Sequence, residues 1–219
     1  MLQLENIHKS FLGPTGAVPV LAGLSLVVQP GQLAVIEGPS GCGKSTLLFI
    51  AGAMSPPDKG TVQFDDVDPY ALTPAARNRF RANRVGFVFQ RFHLIPYLDV
   101  EANLCWPLRW CPHPERHVAR LAELGERLGI RHRFAHRPAQ LSAGEQQRVA
   151  IARALLGDKP LICADEPTGN LDDESAALVK DTLVQETQHG RMVLLVTHHK
   201  EWAAYSQVRV RLSTLTQGA

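Results

Sequence analysis

The sequence predicts an α/β fold: a mainly parallel sheet covered by helices, with a small antiparallel sheet at its start and an inserted helical region in its middle. Three observations predict it. Short apolar runs bounded by turn residues recur along the chain, helical stretches follow several of them, and the stretch from about Phe92 to Leu141 holds no good strand. The length of 219 residues, 45% hydrophobic and 20% charged, suits one large domain with a packed core.

Taken in order, short strands around the loop Gly13–Gly16 suggest the small antiparallel sheet. The apolar runs Leu24–Val28 and Leu33–Ile36 read as strands, Thr46–Met54 as a helix and Val85–Phe89 as a third strand. In the middle region Val118, Leu121, Leu124 and Leu128 recur at helical spacing, Gly129 is a stop, and prolines 107, 112, 114 and 138 punctuate the chain. Residues 1–219 therefore read as a single domain in which about 92–141 form a helical insert. Ser142-Ala-Gly-Glu145 is a capping-box pattern opening a helix whose apolar face includes Val149, Ile151 and Ala152. Strand Leu161–Ala164 follows. Asp172, Asp173 and Glu174 place negative charge before the helix Ser175–Gln188, and Met192–Thr197 closes the series.

Composition excludes several classes. Lys and Arg number 23 against 21 Asp and Glu, so bulk charge gives no affinity for nucleic acid, and none is expected as a partner. The longest apolar stretch, Leu47–Met54, is far short of the roughly 20 residues that span a bilayer, and MLQLENIHKS does not read as a signal peptide. The expectation is a cytosolic chain whose membrane work passes through a partner. Cys42, Cys105, Cys111 and Cys163 are too few and scattered for a disulfide scaffold. Cys105, Cys111, His113 and His117 lack the close spacing of structural zinc. Arg77, Arg79, Arg81, Arg84 and Arg91 read as a solvated face, or else as a surface for anionic lipid or an acidic partner helix. Trp106 and Trp110 either pack in the helical insert or meet a partner; their spacing leaves both open.

The chemistry begins at Gly38-Pro39-Ser40-Gly41-Cys42-Gly43-Lys44-Ser45, which fits GxxxxGK[ST] between a strand and the helix opening at Thr46. Small residues let the loop curl so that successive N–H groups face phosphate oxygens, and the helix start adds its positive end. Lys44 supplies charge to the β- and γ-phosphates, and Ser45 a hydroxyl to Mg²⁺. A plain Gly-rich turn is the competing interpretation, but the flanking strand and helix favour phosphate. Cys42 reads first as a small residue that fits and second as a thiol whose alkylation blocks ATP.

Two more strands end in polar groups: Leu161–Ala164 before Asp165-Glu166, and Met192–Thr197 before His198. In a parallel sheet ligands gather at the carboxyl ends of strands. If these strands neighbour the one before the phosphate loop, all three groups face one nucleotide. Asp165 then holds Mg²⁺, Glu166 polarises the attacking water, and His198 orients both at the γ-phosphate. His199 reads as surface.

Leu141-Ser-Ala-Gly-Glu-Gln-Gln-Arg-Val-Ala-Ile-Ala-Arg-Ala-Leu155 narrows the family. Locally it is a well-capped helix. Its start also offers free N–H groups and a hydroxyl to a phosphate, which would have to belong to another subunit. With the loops already described, the whole chain resembles the ATP-binding cassette (ABC) transporter ATPases, and the motifs stand in that family's order. The resemblance implies a P-loop NTPase with a RecA-like core, a small antiparallel β subdomain and an inserted α-helical subdomain. It makes Phe11 the ring that stacks on adenine, Gly38–Ser45 the Walker A loop, and Gln90 the glutamine that senses Mg²⁺ and links to the membrane partner. Leu141–Glu145 becomes the signature, bringing Ser142, Gly144 and Glu145 to the nucleotide. Leu161–Asp165 is Walker B, Glu166 the catalytic glutamate, Asn170-Leu-Asp172 the D-loop and His198 the switch histidine. Glu166, His198, Lys44 and Gln90 are thus the expected catalytic residues, and Ser45, Gln90 and Asp165 the expected Mg²⁺ ligands.

Ala143 departs from the family's first signature glycine, Glu145 from its glutamine and Phe11 from the commoner tyrosine; Ser142 and Gly144 are kept. Phe92-His-Leu-Ile-Pro96 and Pro167-Thr-Gly-Asn-Leu-Asp172 resemble the lipoprotein-release and macrolide-export subgroup (LolD and MacB types). That subgroup implies a homodimer of ATPase subunits docked on an integral membrane permease of the LolC, MacB or FtsX type, peripheral at the cytoplasmic face of the inner membrane. It implies ATP hydrolysis with Mg²⁺ that powers export, lipoprotein extraction or mechanotransmission. A soluble ABC ATPase acting on nucleic acid or ribosomes fits less well, because the chain has neither a long coiled-coil insert nor a tandem cassette. A merely structural cassette conflicts with the intact Glu166 and His198.

Overall fold

The structure, a computed structural model, describes residues 1–14, 16–111, 113–169 and 171–214; Pro112 and Asn170 of the D-loop lie outside the described residues. Strands β1 (Leu2–Gly13), β2 (Gly16–Val28) and β4 (Lys59–Phe64) form an antiparallel sheet in the order β2-β1-β4. Strands β3 (Leu33–Glu37), β5 (Val85–Val88), β6 (Leu161–Asp165), β7 (Met192–Val196) and β8 (Val208–Arg211) form a parallel sheet in the order β5-β6-β7-β3-β8.

Strands β3, β6 and β7 read as unbroken apolar runs because both faces of the sheet are covered there. Alternation splits each strand between two cores. Leu33, Val35, Ile162, Ala164, Val193 and Leu195 pack on the helical side. Ala34, Ile36, Leu161, Cys163, Leu194 and Val196 pack toward helix α1 (Lys44–Ala51) and the antiparallel sheet.

The middle region is helical as expected: α3 (Val100–Cys105), a 3₁₀ turn Trp106–Trp110, a second 3₁₀ turn Pro114–His117 and α4 (Val118–Arg127). Its Val100, Leu104, Leu121 and Leu124 share one core with the sheet. Val118, expected on the apolar face of α4, is 65% exposed. The buried stripe runs instead through His117, Leu121, Leu124 and Leu128, a cleaner i, i+4, i+7, i+11 series. Gly129 adopts φ +63°, and Ile130 N–H donates to Gly125 O at 2.8 Å while Gly129 N–H donates to Glu126 O at 2.9 Å. This is the Schellman closure that a left-handed glycine allows.

Helix α5 (Ala143–Leu155) and helix α6 (Asp173–Gln188) complete this side. Asp172 caps α6, accepting from Ser175 N–H at 2.8 Å. Glu186 of α6 is fully buried and faces Arg120 at 2.6 Å and Arg127 at 3.3 Å, both from α4, and Arg191 at 3.4 Å. A buried carboxylate is tolerable only when paired in this way, and the cluster ties the helical layer to the sheet.

Strands β4 and β8 and helix α2 (Pro74–Arg84) are absent from the sequence expectations. β8 is a four-residue edge strand alternating Val and Arg. α2 buries no residue. Three of its four arginines are engaged rather than simply solvated: Arg77 lies 5.7 Å from the Tyr70 ring centre, Arg84 lies 5.6 Å from that of Phe64, and Arg81 donates to Ala53 O at 3.3 Å.

Candidate active site

The three strands that end in polar chemistry are adjacent, in the order β6-β7-β3. Beyond their carboxyl ends lies a cavity of about 360 Å³, lined by Phe11, Val20, Ser40, Gly41, Gly43, Lys44, Ser45, Thr46, Gln90, Asp165, Glu166, Val196 and His198.

The phosphate loop is held by close packing. A Cβ on Gly43 would stand 2.6 Å from Val20 Cγ1, and one on Gly38 would stand 2.5 Å from Leu212 O. Both glycines also lie in the left-handed range, at φ +97° and +154°. Helix α1 starts at Gly43 without any side-chain cap, so its first N–H groups are free for an anion. Lys44, 7% exposed, donates to Gly38 O at 2.9 Å and Pro39 O at 2.8 Å, spanning the loop. Gly38, Pro39 and Cys42 do not line the cavity. Cys42 is buried in the second core, which corrects the reading of its thiol as an accessible reactive group: burial favours the small residue that fits.

Asp165 is buried, and desolvation raises its pKa; the Ser45 hydroxyl, the Lys44 ammonium and His198 oppose the rise. Glu166 takes a left-handed φ of +48°, held by its N–H donating to Val196 O at 2.9 Å. Such strain persists only where neighbours enforce it, and here it turns the two successive carboxylates to different places. Glu166 Oε1 lies 3.1 Å from His198 Nε2, in contact but not aligned as a hydrogen bond, while Oε2 accepts from His198 N–H at 3.3 Å. Gln90 follows β5 and is exposed at the cavity, and His199 is exposed outside it. Among the described residues no group of three or more His, Cys, Asp or Glu could hold a metal, and Cys105 and Cys111 have pKa values raised by burial.

The remaining expected residues lie elsewhere. Ser142, Ala143, Gly144 and Glu145 line a separate cavity of about 850 Å³ that shares no residue with the first. Ser142 Oγ accepts from Glu145 N–H at 3.2 Å, and Glu145 Oε2 accepts from Ser142 N–H at 2.8 Å. Arg133 Nε donates to Glu145 Oε1 at 2.7 Å. The Ser142 N–H and this guanidinium hold the Glu145 carboxyl at a pKa of about 2. Glu145 therefore caps its own helix. Val20 and Val196 belong to the cavity without any motif to mark them.

A family model described as "ABC transporter" matches residues 21–169. The chain belongs to the ABC transporter family. It is the ATP-binding, ATP-hydrolysing subunit type of that family. It is 43% identical to the lipoprotein-releasing system ATP-binding protein LolD 1 of Rhodopirellula baltica over 90% of this chain and 87% of that one. It is 40% identical to the macrolide export ATP-binding/permease protein MacB of Marinobacter nauticus over 97% of this chain, which spans 33% of that larger protein. The cassette MJ0796, solved as a dimer in a post-hydrolysis state with ADP and Pi, superposes with a TM-score of 0.89 at 31% identity over 100% of both chains. The ABC ATPase thus has the expected P-loop fold with a parallel core and an antiparallel β subdomain.

Proposed function

We propose that two copies of this chain close around ATP as a homodimer and drive an integral membrane permease of the LolC, MacB or FtsX type from the cytoplasmic face of the inner membrane, for export, lipoprotein extraction or mechanotransmission. The observation that carries the reading is the separation of two half-sites. The uncapped start of α1 and the Ser142 start of α5 open into cavities with no residue in common. A head-to-tail pair places Ser142 and Gly144 of one copy against the phosphates held by Lys44 of the other, completing both sites at once.

Within each site Phe11, 49% exposed, offers its face to adenine. The amides of residues 40–46 and the Lys44 ammonium hold the phosphates; Gly38, Pro39 and Cys42 shape the loop behind them. Ser45, Gln90 and Asp165 would supply hard oxygens to Mg²⁺, an ion that a desolvated carboxylate beside a hydroxyl suits. Bound there, Mg²⁺ neutralises charge on the transferring phosphoryl group. Glu166 polarises the attacking water, and His198, in contact with Glu166, orients it and faces the γ-phosphate. The fixed charges need no rearrangement as the transition state forms.

The partner's cytoplasmic segment docks in an apolar groove of about 720 Å³ lined in part by Met54, Phe87, Phe89, Trp106, Pro107 and Trp110. Trp110 is 51% exposed there, a large apolar surface that a partner would cover. No helix among the described residues is long and apolar enough to cross a membrane.

Light scattering of Glu166→Gln with saturating ATP tests the dimer: an ATP-trapped dimer is expected, and a monomer overturns the reading. Co-purification from membranes tests the partner; recovery with ribosomes or DNA instead favours the soluble alternative.

A further inference from the structure

The groove has a charged floor that nucleotide chemistry does not use. Lys159, in the loop before β6, is 5% exposed. Among the described residues it has neither an ion-pair partner nor a hydrogen bond; the charged groups that act on it are Arg153 and Arg191, and the Cys111 thiol lies near. Its side chain forms part of the groove wall and of an adjoining recess of about 240 Å³ behind Phe89 and Trp106. Together these linings carry Arg79, Arg81, Arg153 and Lys159 and no carboxylate. On its other side Lys159 borders a cavity with Asp158 and Glu186. Glu186 is already engaged by three arginines, and Asp158 is exposed.

An ammonium on a side chain buried this deeply keeps little water contact and has no counter-charge, which is costly, and burial pulls its pKa down to about 8. Arg153 donates to the His93 and Phe92 carbonyls at 2.6 and 2.8 Å, and Arg81 donates to Ala53 O. Of the two cations left without a partner among the described residues, Arg79 is exposed to solvent at the groove, and Lys159 is the buried one beside the aromatic floor.

We propose that Lys159 is the receptor for a carboxylate on the segment that the membrane partner inserts into the groove. That segment is amphipathic. Apolar side chains cover Trp106, Trp110 and Phe87, and an Asp or Glu reaches Lys159. A segment without the acid would leave the ammonium buried and unpaired, so Lys159 also selects among partners. This inference rests on the reading of the chain as the ATPase of a membrane-bound complex.

The test uses the complex purified from membranes in detergent. A carbodiimide joins an ammonium and a carboxylate as an amide only where they touch, the water being taken up as a urea. Mass spectrometry is expected to find Lys159 joined to an acidic residue of the partner. Lys159→Met should weaken the complex roughly 30-fold or more, with Lys159→Arg retaining much of it. The isolated Lys159→Met chain should melt at a higher temperature than wild type, because a buried unpaired charge is removed; a lower melting temperature would assign Lys159 a structural role and overturn the proposal. Wild-type recovery of the partner by Lys159→Met without a Lys159 cross-link overturns the inference and leaves the partner reading standing. Failure of the wild-type chain to bring down any membrane protein overturns both.

Discussion

The nucleotide cavity draws most of its lining from three short segments, residues 40–46, 165–166 and 196–198, each at or just beyond the carboxyl end of a strand of the parallel sheet. The apolar groove draws on residue 54, residues 75–89, residues 106–110 and residue 159. In the cavity Lys44 and His198 stand with Asp165 and Glu166; in the groove there are cations only. Phosphate chemistry needs backbone amides and charges placed within fractions of an ångström, which consecutive residues on a tight turn provide. Docking needs area and shape, which any surface residues brought together by the fold can supply. The two regions meet at the end of β5. Phe87 and Phe89 stack at 4.3 Å in the groove, Phe87 lies 5.6 Å from Phe49 of α1, and Gln90 stands in the cavity. A segment pressing on the groove therefore touches the element that presents Gln90 and the helix that follows the phosphate loop.

The largest effect should fall on the cavity alone. Glu166→Gln should lower ATP turnover by roughly 10²- to 10⁴-fold, read in a phosphate-release assay, while the partner still co-purifies; a matching loss of the partner would erase the distinction between the regions. A variant outside both should strike both. Glu186→Ala leaves Arg120, Arg127 and Arg191 facing one another and should cost about 3–5 kcal/mol in urea unfolding. A loss under 1 kcal/mol would show that the helical layer does not depend on this cluster. Trp110→Ala should reduce partner retention by roughly tenfold with ATP-driven dimerisation of Glu166→Gln preserved in the double variant; equal retention would move the partner off the groove.

The smallest effect concerns the signature helix. The Glu145 carboxyl, held at about 2 against an ordinary value of 4.5, binds its proton less readily in the folded chain than in the unfolded one. Its contribution is therefore present above pH 4.5 and is lost as pH falls toward about 2. Glu145→Ala should cost about 1 kcal/mol at neutral pH and flatten the acid limb of the stability profile. An unchanged profile would mean that Ser142 and Arg133 do not hold this carboxylate in solution.

Legibility differed between the regions for the same physical reason. Lys44, Asp165, Glu166 and His198 were readable because each ends or follows a continuous apolar run in a strand buried on both faces. Thr73-Pro74 could have revealed α2, since Thr73 caps it by accepting from Ala76 N–H at 3.3 Å, but arginines stacked on rings hide the amphipathic pattern. Trp106 and Trp110 were visible as residues and unreadable as a surface, because nothing local says which side of a 3₁₀ turn a neighbouring helix leaves uncovered. Glu145 was readable as the capping-box partner of Ser142 and, by its place in the signature, as a nucleotide contact; the structure adds the Arg133 guanidinium on its carboxylate.

Sequence alone determined the strand and helix alternation, the curled loop at Gly38–Ser45 and the polar residue at the end of each central strand, since these follow from apolar periodicity, turn chemistry and backbone geometry over a few residues. Tertiary structure decided the strand order β6-β7-β3 that gathers those ends, the distance between the Lys44 and Ser142 half-sites, and the groove with Lys159 in its wall. Those depend on which distant segments pack together, and burial energy is settled over the whole chain at once.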